Sequence, residues 1–108
     1  MILNKTTDEL INIRIKYADN FFKRFKGLML IKNIDFGLLF TDLIDSNIHT
    51  YFMISEIDVY FLDKNKVIFE KVSLKPWKFY KPQKKATYIL ETKKDELKLK
   101  IGDCLDFI

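Results

Sequence analysis

Residues that punctuate or cross-link a chain are the scarcest in this sequence: three glycines, two prolines and one cysteine in 108 residues. The lone cysteine, Cys104, excludes a framework of internal disulfides, and so little glycine and proline excludes collagen-like or low-complexity character. Histidine is also single. With only His49 and Cys104, no His or Cys pair stands at zinc-ligand spacing, so no metal and no other cofactor is expected. Arginine is nearly missing, since Arg14 and Arg24 are the only two among nineteen basic residues. That scarcity weakens any reading as a nucleic-acid binder, because the guanidinium fork is the better partner for phosphate and guanine. Long apolar runs are lacking too. No window approaches the roughly eighteen uncharged residues of a membrane-crossing helix, and Lys5, Asp8, Glu9 and Arg14 interrupt the first fifteen residues. The expectation is no secretory signal, no membrane insertion and a cytoplasmic location.

What the chain does have is core-forming material. Apolar residues make up 48% of it, with ten Phe, five Tyr and one Trp, which excludes disorder and suits one domain over residues 1–108. The net charge of +4 is unevenly placed. Residues 63–100 hold twelve Lys and five acids, a net of +7, while the remainder holds five Lys, two Arg and ten acids, a net of −3. Such asymmetry can mark a surface for a polyanion. Fourteen Ile and six Asn against two Ala, however, are the bias that an AT-rich genome imposes on any surface, and lysines come with it.

Hydrophobic periodicity points to strands. Ile11, Ile13, Ile15 and Tyr17 alternate with polar residues, which predicts a half-buried strand. Asp19 is placed to cap a helix that carries Phe21, Phe22 and Phe25 on one side and ends at Gly27. Residues 37–43, 48–53, 57–62, 67–73, 86–91, 97–101 and 104–107 read as further strands, with 48–53 and 57–62 forming a hairpin and 63–66 a tight turn. Residues 74–85 read as a long irregular connection. The predicted fold is all-β with one short helix: a jelly-roll-like β-sandwich or small barrel of seven to eight mostly antiparallel strands.

Several segments, in order, resemble a known family. Residues 18–29 (ADNFFKRFKGLM) are similar to the Ala-x-Thr-x-x-x-Arg-x-x-Gly-Leu-Met signature of the family called domain of unknown function 192. Gly37-Leu38-Leu39-Phe40 resembles its Gly-Met-Leu-Phe, and His49 to Met53 its aromatic-aromatic-Met segment. Ile57 to Asp63 resembles its Leu-Asp-x-x-Phe-x-Asp, Tyr88 to Glu91 its Val-Leu-Glu, and Gly102-Asp103 its late Gly-Asp. The ordered set covers residues 11–108. Two departures stand out: Glu56 replaces a proline frequent before the Leu-Asp pair, and residues 92–96 replace a small Ala-Gly turn. The resemblance implies an all-β sandwich with a short helix and no established activity; members are often exported.

Candidate residues each carry two readings. Arg24 sits in the densest signature, and a buried guanidinium needs acids or carbonyls. Asp58, Glu91 and Asp103 stand at the matching family positions, so the four residues form either an ion-pair clasp between helix and sheet or a polar ligand pocket. Asp58, between apolar neighbours, is either a satisfied buried carboxylate or a general acid or base. Asp103 after Gly102 reads more simply as a turn residue. His49, with Asp58 or Glu91, is the one catalytic or mixed metal arrangement left open, and Cys104 reads as a packed thiol. Lys75, Trp77, Lys78 and Tyr80 belong to an acid-free segment, residues 75–85, with five lysines among aromatics. It is either a stacking platform with ammonium groups, held extended by its prolines, or a lid with Trp77 and Phe79 folded inward.

These residues predict a small non-enzymatic binding module for an unknown small ligand or protein. The ligand-binding candidates are Arg24, Asp58, Glu91, Asp103, Lys75, Trp77, Lys78 and Tyr80. The alternatives are an enzyme acting on a small or carbohydrate substrate through Asp58 and Glu91 with His49, and a single-stranded nucleic-acid binder.

Overall fold

A computed structural model describes residues 1–108, apart from the side chains of Phe21 and Phe22. The predicted aromatic helix face therefore lies, for those two residues, outside the described residues. The chain folds into ten short strands and one helix: β1 (Ile2–Asn4), β2 (Glu9–Ile11), β3 (Ile15–Ala18), α1 (Phe21–Lys26), β4 (Gly37–Phe40), β5 (Ile48–His49), β6 (Ile57–Leu62), β7 (Ile68–Leu74), β8 (Phe79–Tyr80), β9 (Tyr88–Lys93) and β10 (Leu105–Phe107). The fold is thus all-β with one short helix. Its sheets are open, in the orders β10-β1-β2, β3-β4-β9-β6-β7 and β5-β8, and none closes into a barrel. Among the described residues no helix is long and apolar enough to cross a membrane.

The five-stranded sheet organises everything else, because apolar residues cover both of its faces. All six residues of β6 are buried, which explains why residues 57–62 read as a nearly continuous apolar run. Strand alternation sends Ile57, Val59 and Phe61 to one face, where they pack with Leu38, Phe40, Ile89, Leu28 and Met53. Tyr60 and Leu62 go to the other, with Leu39, Leu90, Ile2, Ile13 and Leu105. Each of these fully buried side chains contributes roughly 1.5–3 kcal/mol, the main driving force for closing the two layers.

The predicted strand over residues 11–17 is two strands in different sheets. β2 pairs with β1 and β3 pairs in parallel with β4, the backbone turning at residues 12–14, where the Arg14 carbonyl accepts from Gly37 N at 2.8 Å. A parallel pair cannot be joined by a tight turn; residues 19–36, with α1, supply the crossover. Gly37 lets the strands pack closely at the join, where a Cβ would come within 2.9 Å of Ile15 Cδ1 and push that methyl aside.

The predicted hairpin of residues 48–53 with 57–62 does not form. β5 pairs instead with β8, and β6 pairs with β7 and β9. Thr50 is the physical reason. Wholly buried, it takes Trp77 N on its carbonyl at 2.9 Å and donates its own N to the Lys78 carbonyl at 2.8 Å. Its hydroxyl donates to the Lys75 carbonyl at 2.6 Å and accepts from Lys78 N at 2.8 Å. Residues 50–53 turn around this knot, with Met53 N on the Thr50 carbonyl at 3.2 Å. Nor are residues 97–101 a strand. Leu97 and Leu99 alternate inward as predicted, but they plug the second layer without a ladder, and Tyr60 Oη donates to the Leu97 carbonyl at 3.1 Å.

Candidate functional site

Helix α1 is six residues long and is held at both ends. Asn20, not the predicted Asp19, caps it by accepting from Lys23 N at 2.9 Å, while Asp19 pairs with the Lys23 ammonium at 3.5 Å. Extended backbone at Asn20 (φ −137°) is what lets its carboxamide reach that amide. At the other end Gly27 takes φ +49°, where other residues are strained, and its N donates to the Lys23 carbonyl at 2.9 Å. The sharp exit lays Gly27 over the five-stranded sheet. A Cβ on it would stand 3.5 Å from Phe40 Cζ and 3.9 Å from Glu91 Oε1.

Beneath Gly27, Glu91 interrupts an apolar face. Alternation along β9 puts it on the side of Ile89, and the register sets it between Leu38 of β4 and Val59 of β6. The carboxyl is 2% exposed, and among the described residues Oε1 has no hydrogen-bond partner. Burial in apolar surroundings penalises its charged form and pushes its pKa up to about 8. At neutral pH Glu91 therefore carries a proton, a neutral carboxylic acid able to donate one hydrogen bond and accept another.

An open cleft of about 420 Å³ lies over this carboxyl, with Phe40, Ile89 and Glu91 in its lining along with Arg24, Gly27 and Met29 from the helix side. Ile48, His49 and Met53 form another wall, and Phe25, Ile44 and Phe79 reach the rim. The volume is that of a small-molecule site, about 300–1,000 Å³. Arg24 is half-buried, and its Nη1 donates to the Thr41 carbonyl at 3.3 Å. His49 stacks on Tyr51 with ring centroids 4.9 Å apart and meets Phe25 edge-on at 6.3 Å; its Nδ1 is buried without a partner among the described residues.

The predicted polar cluster is therefore only partly assembled. Arg24, Glu91 and His49 line one cleft; Asp58 and Asp103 do not. Asp58 is on the opposite face of the sheet, where Oδ1 accepts from Ser73 Oγ at 2.5 Å and Oδ2 from Asp95 N at 2.9 Å. Asp103 Oδ2 accepts from Asn4 Nδ2 at 3.0 Å and from Lys100 N at 2.9 Å, the turn role that its place after Gly102 suggests. The ion-pair clasp is absent too, because among the described residues Arg24 pairs with no acid. Cys104 is half-buried, with Sγ 3.5 Å from the Asn65 carbonyl. No three His, Cys, Asp or Glu side chains among the described residues gather as a metal set.

The basic segment also differs from both readings of it. Thr50 clamps residues 75–78, so the segment is not extended, yet Trp77 is not a buried lid: it is 59% exposed and packs edgewise on Phe52, with centroids 4.8 Å apart. Lys75 and Lys78 point to solvent. Tyr80 turns inward, stacking on Phe61 at 5.8 Å and donating its hydroxyl to Glu70, a bond that raises its pKa. Phe79 alone of this segment reaches the cleft. Phe25, His49, Tyr51, Trp77 and Phe52 thus form a chain of ring contacts leading away from the cleft mouth.

Gly27, Met29, Phe40 and Met53 were not candidates from residue chemistry, since each reads as an ordinary core or turn residue. Their signal is collective. All four belong to the segments that carry the family resemblance, and the fold brings those segments, with Arg24 and Glu91, to one cleft.

Comparison with known proteins agrees with that resemblance. The model of the domain of unknown function 192 family, described as "Uncharacterized ACR", matches residues 2–107. The chain belongs to this family. A curated relative, the UPF0127 protein of Thermococcus sibiricus, is 40% identical over 99% of this chain and 74% of its own length. A domain of unknown function 192 chain also has solved counterparts of the same fold. One, a protein of unknown function from Novosphingobium aromaticivorans, has a TM-score of 0.79 at 16% identity, covering 88% of this chain and 75% of that one. Another, from Sinorhizobium meliloti, has a TM-score of 0.76 at 20% identity over 85% and 79%, and carries a provisional transcription-regulator description.

Proposed function

We propose that this member of the domain of unknown function 192 family is a one-domain, non-enzymatic binding module whose site is the cleft over Glu91. One observation carries the reading: a buried carboxyl whose Oε1 has no partner among the described residues lies in the lining of an open, largely apolar cleft. An unpaired buried polar atom costs about 1–3 kcal/mol, and a ligand that bonds to it recovers that cost. Apolar walls with a few convergent polar groups are the usual composition of a small-molecule site. Phe79 at the rim keeps one element of the basic-aromatic segment in the site; Asp58, Asp103 and Tyr80 are outside it.

Ligand-observed NMR against a fragment library tests the reading on the whole chain. Fragments that bind the wild type at millimolar affinity and are lost in both Glu91→Leu, which removes the polar atoms, and Phe79→Ala support it. A library with no such fragment refutes it.

A second reading follows from the same carboxyl. A protonated glutamic acid in a cleft that an imidazole also lines is suited to act as a general acid near neutral pH. The candidate pair is then Glu91 with His49, without Asp58, whose oxygens are both engaged. That enzyme would show a pH-rate profile that Glu91→Gln abolishes and Asp58→Asn leaves in shape.

A further inference from the structure

We infer that the cleft takes a small amphipathic monoanion: a carboxylate on an apolar body, the carboxylate meeting Arg24 and Glu91 and the body lying against Phe40, Ile89 and Met53. The inference rests on the preceding reading of the cleft as a ligand site and specifies its chemistry.

Three features of the lining select this class. The walls are mainly apolar, and Phe40, Ile48, Met53 and Ile89 are each at least nine-tenths buried, so they offer dispersion and desolvation but no hydrogen bonds to a hydroxylated ring. Arg24 supplies one positive charge in a half-buried position. Its guanidinium donates to the Thr41 carbonyl and, among the described residues, to no carboxylate, so most of the five-donor fork is available to a planar anion. Glu91 supplies a neutral carboxyl with Oε1 unpaired, and an O–H donor of this kind makes a short, charge-assisted bond to a carboxylate oxygen.

Other charge types fit less well. A cation would meet the Arg24 guanidinium at the cleft and find no ionised acid at the floor. A dianion such as a phosphate monoester would bring two negative charges to one half-buried guanidinium, because Lys26, the other cation of the lining, is exposed and is offset by the exposed Asp45. A single carboxylate matches the net charge of +1 that Arg24 and Lys26 leave against Asp45.

The same arrangement makes binding depend on pH. The titratable and charged groups around Glu91 in the cleft lining are Arg24 and Lys26 from α1, Asp45 from the segment between β4 and β5, and His49 from β5. Loss of the Glu91 proton removes the donor and places two carboxylates together, so affinity is full between the ligand's own carboxyl pKa, about 4–5, and about pH 8, and falls about tenfold per pH unit above that.

Matched probes on one body test the charge class: 4-phenylbutanoate, 4-phenylbutan-1-ol, 4-phenylbutylamine and 4-phenylbutyl phosphate, titrated into the whole chain at pH 7 with amide NMR shifts as the readout. The butanoate is expected to bind at least tenfold tighter than each of the others and to weaken about tenfold between pH 8 and 9. Arg24→Met is expected to remove that preference while leaving the alcohol's affinity within twofold. Arg24→Lys, which keeps the charge, is expected to retain part of the preference, and it serves should the Met variant fail to fold. If the alcohol, the amine or the phosphate binds the cleft as tightly as the butanoate, the monoanion inference is overturned while the binding module stands. If none of the four shifts a cleft amide at 10 mM, roughly the weakest affinity such small ligands show, both fall.

Discussion

Replacing Glu91 by glutamine should stabilise the fold at neutral pH, which is unusual for a change at a buried polar residue. Folding holds a proton on Glu91 that the unfolded chain releases above its ordinary pKa of 4.5, while the folded value lies near 8. Below about pH 4.5 both states are protonated and the residue imposes no ionisation cost. Between pH 4.5 and 8 the folded state must take up the proton, so this contribution to stability falls by about 1.4 kcal/mol per pH unit, and above pH 8 the loss is complete. At pH 7 the cost is about 3 kcal/mol, an upper value because relaxation and water entry soften burial. Glutamine has the same shape and no ionisation, so Glu91→Gln should gain roughly 1–3 kcal/mol at pH 7, on the order of 10 °C in Tm for a domain of this size. Urea unfolding of both proteins from pH 4 to pH 9 measures it. Their stabilities should converge near pH 4 and separate steadily to pH 8. Parallel curves across that range, or a variant less stable than wild type at pH 7, would refute the reasoning.

Other expectations are simpler. Asp58→Asn leaves one acceptor oxygen where two now take Ser73 Oγ and Asp95 N in part-buried bonds, and should cost about 1 kcal/mol in chemical unfolding without changing fragment binding in the cleft. Gly37→Ala puts a methyl within 2.9 Å of Ile15 Cδ1 and 3.3 Å of Leu90 Cδ1, both ends of flexible side chains that can turn aside, so a loss of about 1 kcal/mol in urea unfolding is expected; a loss above about 3 kcal/mol would mean that these side chains are locked. Thr50→Val removes the hydroxyl shared by Lys75 and Lys78 and should speed hydrogen exchange at Lys78 N while leaving β6 protected. Trp77, 59% exposed, should emit at long wavelength and be quenched by acrylamide, whereas a blue-shifted, unquenched emission would mean a buried indole.

Much of the fold is legible in the sequence where the physics is local. Alternation at residues 11–17 marks the right inward residues up to Ile15, and the run at 57–62, apolar but for Asp58, belongs to a strand buried on both faces. Pairing is less legible. Nothing within residues 48–62 reveals that Thr50 is committed to the 75–78 backbone, so the shortest connection reads as a hairpin when the real partner of β5 lies thirty residues on. The candidate site shows the same division. Arg24 stands out as one of two arginines in the densest signature and Glu91 through its matching family position, but the face on which each acid lands depends on strand parity and register. Asp58 is even-numbered on β6 and faces away; Glu91 faces the cleft between Leu38 and Val59. Both acids look alike in sequence, and only the layer packed over each distinguishes a satisfied carboxylate from a stranded one.

The account depends on Glu91 being an uncharged acid beneath an open cleft. Carbon-detected NMR of the side-chain carboxyls, titrated from pH 3 to pH 10 with Glu91→Gln for assignment, observes this directly. One glutamate resonance should titrate near pH 8, far from the rest, and vanish in the variant. If the Glu91 resonance moves with the other glutamates near pH 4.5, the carboxyl is solvated and ionised, and the proposed site loses its basis.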